Sequence, residues 1–324
     1  MIAKLKLLVA AALMLALAWP SVPSVAQSWP QRTVKFIIPF GAGAGADIGA
    51  RLFAERLSKQ WGQPVVIENR PGADGIVAIT GFLNANDDHT LLFGASGSFT
   101  VHPFQFANVP YRAEDIVPVA RVSNTIIVVS VPASSKSNTL ADLVAAARAA
   151  PDKLNAALVP GITEWAFLGF LKHYGLTMTK VPYRDIAQAV PDLAEDRVQV
   201  MMSSLAIVQP GVTSGKVKLL VVTGRERVPQ LPAIPTAAEV GFPALELEGL
   251  AGLFGPRKLP VAMRERIAAD MKAAAADGVI GARLAATGQV INIGGPAEFA
   301  ESIERQREHV AGIAKLLRIK PPEQ

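Results

Sequence analysis

No cysteine occurs among the 324 residues of the chain. Disulfide bonds, thiol nucleophiles, and metal or iron–sulfur sites built on thiolates are therefore excluded. Histidine is also scarce, and His89, His102, His173 and His309 lack the short spacing that metal ligands on one element share. The sequence therefore predicts no metal site.

Clustered positive charge is absent as well. Lysine and arginine number 32 against 27 acidic residues, and they are spread along the chain. Because nucleic-acid binding requires a concentrated basic patch, we expect no nucleic-acid partner. The chain also lacks the Gly-Lys-Ser/Thr ending of a phosphate-binding Walker loop, so nothing supports phosphoryl transfer.

The first residues have the three parts of a secretory signal peptide. Lys4 and Lys6 precede thirteen apolar residues, Leu7–Trp19, and the small-x-small triplet Ser24-Val25-Ala26 follows. Thirteen residues are too few to span a bilayer, which needs roughly 20, and no later stretch is long and apolar enough. We expect cleavage after Ala26, export to the periplasm, and a mature chain whose formal charge falls from +5 to +3 with the two lysines.

Strands and helices alternate along the mature chain. Val34, Phe36 and Ile38 alternate as in a strand, and the run from Ile48 to Gly62 repeats its apolar residues near helical spacing. The same alternation recurs to the end of the chain. This order predicts an α/β fold in which mostly parallel sheets are flanked by helices.

The β-branched run Val117–Pro132 is too long for an ordinary strand. We interpret it as the chain crossing from one lobe to another, and Leu250–Phe254 as the return crossing. The predicted divisions are a signal peptide (1–26), a first lobe (27–125 and 251–324) and a second lobe (126–250). Two such lobes enclose a cleft, and open α/β sheets bind ligands beyond the carboxyl ends of their strands.

A glycine loop joins the first strand to the first helix. Gly41, Gly43 and Gly45 allow a tight turn with bare N–H groups, and the helix behind them directs the positive end of its dipole at the loop. The loop therefore predicts an anion site. A relaxed dinucleotide fingerprint, with Glu68 near the ribose position, and a turn without any ligand remain alternatives.

A secreted hydrolase is a further alternative. Ser96 and Ser98 precede His102, and a serine nucleophile needs a base about 3 Å away. Sequence spacing alone does not arrange an acid, a base and an oxyanion hole. Serines that cap a helix explain the same residues, and we favour that interpretation.

Several segments resemble one known family, in the right order and over essentially the whole mature chain. The most specific begins at Gly62 and reads Gly-Gln-Pro-Val-Val-Ile-Glu-Asn-Arg-Pro-Gly. The others are Val34–Asp47, Leu92–Ser98, Val181–Tyr183 and Leu231–Thr236. Together they resemble the substrate-binding proteins of tripartite tricarboxylate transporters, the Bug receptors.

The resemblance implies a two-lobed periplasmic binding protein of the Venus flytrap, type II-like class. It implies that the protein captures a small organic acid and presents it to a two-subunit membrane permease. No enzymatic activity and no cofactor are expected, and we expect a monomer. In the family, loops equivalent to Phe40–Asp47 and Gly94–Ser98 hold one ligand carboxylate, partly through ordered water. Asn69 and Arg70 are expected to hold the first lobe together.

The second lobe departs from the family pattern. Pro160–Trp165 replaces a hydroxyl-rich loop, Arg184-Asp185 replaces a Lys-Gly pair, and Ser203 replaces an aspartate. Arg184 could bind a carboxylate through two parallel hydrogen bonds. Glu164 and Asp185 could meet a ligand amine or hydroxyl, and Trp165 could stack on a ring. A surface ion pair, a favourable helix start and a core tryptophan are the corresponding structural alternatives.

The expected ligand contacts comprise two sets of residues. They are Phe40, Ala42, Gly43, Gly45, Asp47, Ser96, Gly97 and Ser98 in the first lobe, and Gly161, Thr163, Glu164, Trp165, Arg184, Asp185 and Ser203 in the second. The sequence leaves open which carboxylate binds, and whether the receptor serves uptake or feeds a sensor. A secreted hydrolase or nicotinamide-dependent oxidoreductase is the alternative from another class.

Overall fold

The computed structural model describes residues 29–319. The predicted signal peptide and its cleavage site after Ala26 lie outside the described residues. Within the described part of the chain, no helix combines the length and the apolar character that a membrane crossing requires.

Two β-sheets with flanking helices form the molecule, one sheet in each lobe. The strands are β1 (Val34–Ile38), β2 (Val65–Asn69), β3 (Thr90–Ala95), β4 (Ile116–Thr125), β5 (Ile127–Pro132), β6 (Asn155–Leu158), β7 (Thr179–Pro182), β8 (Val200–Ser204), β9 (Val217–Val222), β10 (Gly249–Pro256) and β11 (Gln289–Gly294). The helices are α1 (Gly45–Trp61), α2 (Ile76–Ala85), α3 (Gly97–Gln105), α4 (Leu140–Ala149), α5 (Ile162–His173), α6 (Ala189–Ala194), α7 (Leu205–Thr213), α8 (Val261–Ala275), α9 (Gly278–Ala286) and α10 (Pro296–Leu317).

The two sheets share one topology over five strands, and β11 is an additional edge strand of the first. The first has the strand order β2-β1-β3-β10-β4-β11, and the second has the order β7-β6-β8-β5-β9. In each sheet three neighbouring strands are parallel, and the next strand is antiparallel to them. Strands β1, β2 and β3 therefore correspond to β6, β7 and β8, and the helices that follow them correspond as well.

The predicted α/β class and the two lobes are confirmed, but the sheets are mixed rather than mostly parallel. The first sheet has two parallel and three antiparallel pairings, and the second has two of each. The cause is the route of the chain. It enters each sheet from the other lobe, and the entering strands β5 and β10 run against both of their neighbours.

The first crossing lies where the sequence predicts it. Strand β4 ends in the first sheet at Thr125 and β5 begins in the second at Ile127, so Ile126 alone separates them. The predicted return crossing, Leu250–Phe254, lies inside β10 instead. Leu247 still packs in the second-lobe core, and Gly249 already pairs with Thr125, so the return occurs between them. The lobe boundaries at 125/126 and 250/251 stay a prediction.

Each sheet has an apolar core on both faces. In the first lobe, Phe36 packs toward α1 and α8, whereas Ile37 packs on the opposite face with Phe254. In the second lobe, Val129 and Val128 divide in the same way between two clusters. Successive side chains of a strand alternate between faces, so burial on both faces gives the continuous apolar runs seen in the sequence.

One helical stretch differs from expectation. The sequence predicts a helix over Ile186–Glu195 that bends or restarts at Pro191. The structure has a short 3₁₀ turn at Ile186–Gln188, and α6 starts at Ala189. Pro191 thus lies in the first turn of α6, where its missing N–H would have no intrahelical partner.

Candidate functional site

The site is built around four equivalent junctions where a parallel strand passes into a helix. The junctions are β1–α1 and β3–α3 in the first lobe, and β6–α5 and β8–α7 in the second. The capping positions of these helices are Ala44, Ser96, Gly161 and Ser204, and none provides a side-chain hydrogen bond to its helix. Their first-turn N–H groups are thus left to backbone, solvent or a ligand.

The carboxyl ends of the parallel strands in both lobes face the boundary between the lobes. The entering strands show this directly. Gly249 begins β10 at the crossing, and Ala251 pairs with Ala95 at the end of β3. Ile127 begins β5 at the crossing and pairs with Ser204 at the end of β8. The four helix N-termini, each with a partial positive charge, therefore lie at the sheet edges that face the lobe boundary.

The lobes approach closely on both sides of this cleft. A Cβ atom added at Gly97 of α3 would lie 2.9 Å from Cγ2 of Ile162, the first residue of α5. On the other side, a Cβ atom at Gly288 would lie 2.9 Å from the backbone nitrogen of Ala206 in α7. The two lobes are therefore in contact, and a glycine lies at each of these two contacts.

The first glycine loop is exposed. Gly41, Ala42 and Gly43 face solvent, whereas Phe40 packs partly against the first-lobe core. Gly43 has a φ of +87°, a left-handed conformation that favours glycine. Cβ atoms added at Gly41 or Gly43 would meet nothing within 4 Å. The loop leaves open space in front of α1, as an anion site requires.

Asp47 supports this loop from beneath. Its carboxylate accepts hydrogen bonds from the backbone nitrogen of Gly43 at 2.9 Å, from Arg51 Nε at 3.0 Å and from Asn69 Nδ2 at 2.9 Å. The side chain is buried, and burial alone would raise its pKa. The hydrogen bonds from Arg51, Gly43 and Asn69 outweigh burial and hold the pKa below its usual value.

Asn69 ties the end of β2 to the same loop. Its Nδ2 donates to the carbonyl oxygen of Phe40 at 3.0 Å as well as to Asp47, and its Oδ1 accepts from Arg51. Arg70 pairs with Glu68 and lies against Gly81 in α2. Both residues therefore hold the first lobe together, as expected from the sequence.

The loop before α3 is fixed to the C-terminal helix. Ser96 is fully buried and its hydroxyl donates to Gln306 Oε1 at 2.7 Å. Ser96 occupies the capping position of α3 but makes no side-chain cap, so the capping interpretation is wrong for this residue. Ser98 lies beside Gly75, where an added Cβ would be 3.4 Å from the Ser98 hydroxyl.

His102 is turned away from both serines. It is fully buried, and its Nδ1 contacts the hydroxyl of Tyr111 while its Nε2 lies 3.3 Å from Asp74 Oδ2. Both ring nitrogens thus have partners other than Ser96 or Ser98. Burial also raises the pKa of Tyr111, with a contribution from the charge of Asp74. The described residues give no serine–histidine pair here.

Glu68, the candidate ribose ligand of the dinucleotide alternative, is also engaged. Lys35 Nζ lies 2.8 Å from Glu68 Oε2, and Arg70 pairs with the other oxygen. These partners hold the pKa of Glu68 below its usual value, with the bond from Lys35 the largest cause. Glu68 therefore serves the first lobe as the partner of Lys35 and Arg70, and this role requires no nucleotide.

The loop before α5 presents another left-handed glycine. Gly161 has a φ of +134°, and an added Cβ would meet nothing within 4 Å. Thr163 is partly buried in the first turn of α5. Glu164, in the same turn, is buried and forms an ion pair with Lys180 of β7. Glu164 therefore has the structural role of a favourable acidic residue at a helix start, and Lys180 is its partner.

Trp165 lies in an apolar cluster between the lobes. It is 6% exposed and packs with Val101 of α3 and with Val310 and Ile313 of α10. The rings of Trp165 and Phe104 lie 5.8 Å apart. Val101, Phe104 and α10 belong to the first lobe, so the side chain spans the lobe boundary. This contact matches the structural alternative, a core tryptophan.

Arg184 and Asp185 do not pair with each other. Both are exposed, and Asp185 accepts from the backbone nitrogen of Ala187 at 2.9 Å, which caps the short turn after it. Within residues 29–319, Arg184 has neither a salt bridge nor a hydrogen bond of the side chain. Ser203 is buried, and its hydroxyl donates to the carbonyl oxygen of Ser204 at 3.3 Å.

The structure adds residues that the sequence did not single out. Ser204 and α7 complete the fourth junction, but α7 contains Pro210 and starts without a side-chain cap, so its sequence signal is weak. Gln289 is buried beside α1, where its Nε2 would lie 3.2 Å from a Cβ atom on Gly45. No cluster of three or more metal-ligating side chains occurs among the described residues.

Comparison with known proteins gives consistent matches. The model of a family described as "Tripartite tricarboxylate transporter family receptor" matches residues 49–301. A UPF0065 protein from the tcbD-tcbE intergenic region of Pseudomonas sp. strain P51 is 34% identical over 259 residues, which are 78% of this chain and 77% of that protein.

Two solved structures are similar over nearly their whole length. Rpa4515 of R. palustris with adipate is 29% identical, with a TM-score of 0.78 over 91% of this chain and 100% of that one. MatC (Rpa3494) from Rhodopseudomonas palustris with bound malate is 27% identical, with a TM-score of 0.72 over 89% of this chain and 99% of that one.

Proposed function

The chain belongs to the tripartite tricarboxylate transporter receptor family, and we propose that it is a periplasmic receptor that captures a small dicarboxylate between its lobes. It is a solute-binding protein by family, and the similar structures of Rpa4515 with adipate and of MatC with bound malate both hold dicarboxylates. The observation that carries the proposal is the placement of four helix N-termini, two from each lobe, at the boundary between the lobes.

Two facing pairs of helix N-termini suit a ligand with negative charge at both ends. Helices α1 and α3 face one carboxylate from the first lobe, and α5 and α7 face the other from the second. An anion at a helix N-terminus gains about 0.3 to 2 kcal/mol, and four such ends act together. Water can bridge N–H groups to a carboxylate with little loss.

Arg184 supplies a positively charged side chain in the second lobe for the second carboxylate of the ligand. It follows β7, beside β6 in the sheet, and is exposed without an ion pair in the described part of the chain. Its planar guanidinium can hold a carboxylate through two parallel bonds. Asp47 and Glu164 are neutralised by Arg51 and Lys180, so neither opposes an anion with a full unpaired charge.

The partner proposed for the loaded receptor is the two-subunit membrane permease of such a transporter. Binding rather than chemical turnover is the proposed activity, and the protein is proposed to act as an exported monomer without cofactor. If a deletion strain kept normal uptake but lost ligand-dependent induction, the receptor would feed a sensor instead. Sustained product from esters or nicotinamide cofactors would indicate an enzyme.

Thermal stabilisation by a panel of acids tests the binding proposal. A ligand present at 100 times its Kd stabilises the folded protein by about 2.7 kcal/mol. Adipate, malate and succinate are expected to raise the melting temperature, whereas propionate at equal concentration is not. If none of the dicarboxylates stabilises the protein, the proposed ligand class is wrong.

Gly41→Ala locates the site, because the added methyl group meets no protein atom and needs no left-handed backbone. The methyl should occupy the space before α1 and weaken dicarboxylate binding by about tenfold, or 1.4 kcal/mol. Gly278→Ala is the matched control. It is an exposed glycine at the start of α9, where an added Cβ also meets nothing within 4 Å. Equal affinities of the two variants would exclude the glycine loop from the site.

A further inference from the structure

Gln306 is a buried amide in the middle of α10, and both ends of its side chain are used. Its Oε1 accepts hydrogen bonds from the hydroxyls of Ser96 at 2.7 Å and Thr100 at 3.2 Å. Its Nε2 donates to the carbonyl oxygen of Glu248 at 3.0 Å. The partners fix the orientation of the amide, because a carbonyl can only accept whereas hydroxyls can donate.

The oxygen end of the amide holds the loop that opens α3. Ser96 is fully buried, and its hydroxyl has no acceptor other than Gln306 among the described residues, whereas the Thr100 hydroxyl also lies 3.2 Å from the carbonyl oxygen of Gly97. The backbone nitrogen of Ser96 also donates to Leu250 of β10 at 3.0 Å. Gly97, the next residue, carries the contact with Ile162 of the second lobe. Loss of the amide would therefore leave the buried Ser96 hydroxyl without a partner and weaken the attachment of the loop at its base.

The nitrogen end of the amide holds the return crossing. Glu248 directly precedes β10, between Leu247 in the second-lobe core and Gly249 in the first sheet. Its side chain also accepts from Asn124 Nδ2 of β4 at 3.2 Å, which links the two crossings. If the lobes rotate relative to each other, the backbone torsion angles at the return crossing must change, so this segment would act as a hinge.

We infer that Gln306 is a positioning residue that couples the hinge to the ligand loop at Gly94–Ser98. The role toward a ligand rests on the proposed function, but the coupling between hinge and loop can be measured without ligand. One rigid amide joins the return crossing to the base of the loop, so movement of the Glu248 carbonyl is passed to Ser96. Buried, fully satisfied polar junctions of this kind specify one arrangement of the elements they join.

Hydrogen exchange of the ligand-free protein is the first arm of the test. Gln306→Leu removes both ends of the junction, whereas Ser96→Ala removes the shorter of the two hydrogen bonds at its loop end. We expect faster amide exchange in residues 94–100 for both variants, and faster exchange in residues 246–250 for Gln306→Leu. Ser130→Ala is the matched control, since Ser130 is also fully buried and donates one hydrogen bond, to Met201 in the second-lobe sheet. Exchange that rises evenly over the first lobe, or in α10 alone, would overturn the inference.

Affinity for adipate is the second arm. Ser96→Ala is expected to weaken adipate binding by about tenfold through the freed loop, while Ser130→Ala loses a similar hydrogen bond and keeps its affinity. Unchanged adipate affinity in Ser96→Ala, despite faster exchange in the loop, would refute the positioning role. If the wild-type protein binds neither adipate nor malate, the proposed ligand class fails, and the exchange arm still decides whether Gln306 joins hinge and loop.

Discussion

Asp47 is a buried carboxylate at the positive end of α1, and its partners keep it charged. Arg51, Asn69 and the N–H of Gly43 hold its pKa below the usual value, although burial acts in the opposite sense. Both of its carboxylate oxygens are therefore occupied by hydrogen bonds within the protein. The expected direct contact with a ligand stays a prediction, and the structure assigns the side chain to shaping the loop.

Replacing this carboxylate should change the response of the protein to acid. A carboxyl whose pKa is lowered on folding stabilises the fold above its unfolded pKa of about 3.9, and this contribution is lost as pH falls through the folded pKa. Asp47→Asn should therefore cost about 1 to 3 kcal/mol at pH 7 and progressively less below pH 4. Thermal melts between pH 2.5 and 7 measure the difference. Glu55→Gln, which alters an exposed carboxylate in the same helix, is the control, and a parallel offset at every pH would contradict the assignment.

Arg184 gives a prediction about ligand charge. If it binds the second carboxylate, Arg184→Ala should weaken adipate by about 100-fold, because a charged hydrogen bond contributes roughly 1.5 to 3 kcal/mol. Binding of a monocarboxylate analogue of similar length should change little. Calorimetric titration of both acids with the variant and the wild type decides this, and equal losses for the two acids would remove Arg184 from the site.

Single residues differ in how far the sequence reveals their roles. The tight turn at Gly43 and the structural role of Asn69 are predictable from the sequence, the first from turn chemistry. The partners of Asp47 are not, because Asn69 is 22 residues away and reaches it only through the pairing of β1 with β2. Similarly, Trp165 is placed by α10, which lies more than a hundred residues later in the chain.

Among the elements, α3 of the first lobe meets α5 of the second at Gly97, and the missing side chain of Gly97 makes that contact feasible. A methyl group on Gly97 would lie 2.9 Å from Cγ2 of Ile162, so Gly97→Ala should keep the lobes apart without straining the backbone of either. We expect dicarboxylate affinity to fall about tenfold. Trimming the opposing side chain should restore it, so the double variant Gly97→Ala/Ile162→Ala should bind more tightly than Gly97→Ala. Failure of this rescue in titrations would mean that the contact does not limit closure.

The elements themselves were predicted unevenly. The sequence pattern predicts helices over Leu140–Ala149 and Pro296–Leu317, and α4 and α10 have these bounds. Both have clear apolar periodicity, and α4 follows the capping residue Thr139. The sequence pattern does not predict α7 or α9. Helix α7 contains Pro210, and α9 follows α8 after only Ala276 and Asp277, so neither stands out as a separate periodic segment.

At the scale of the whole molecule, the route of the chain explains what sequence periodicity cannot show. Alternating strands and helices indicate parallel pairing, and each lobe does contain three parallel neighbours. The exchanged strands β5 and β10 carry the same apolar pattern as the others. Only the position of the crossings makes them antiparallel, and the same exchange places the proposed site at the lobe boundary.

Closure of the two lobes is expected to follow ligand binding. Contacts from both lobes to one dicarboxylate favour the closed arrangement, so the ligand shifts the population toward it. Small-angle X-ray scattering should show a smaller radius of gyration with adipate than without, and no change with propionate. An identical radius in all three samples would show that the lobes do not separate in the free protein.

The place of Trp165 has a practical consequence. The indole belongs to α5 of the second lobe, but Val101, Phe104 and Ile313 of the first lobe shield it from water. Separation of the lobes would hydrate the ring and shift its fluorescence to longer wavelength, and capture of a ligand would shift it back. Comparison with Trp165→Phe isolates this signal from the other tryptophans. The emission wavelength of Trp165 should therefore report ligand binding, and candidate acids can be screened by intrinsic fluorescence without an attached dye.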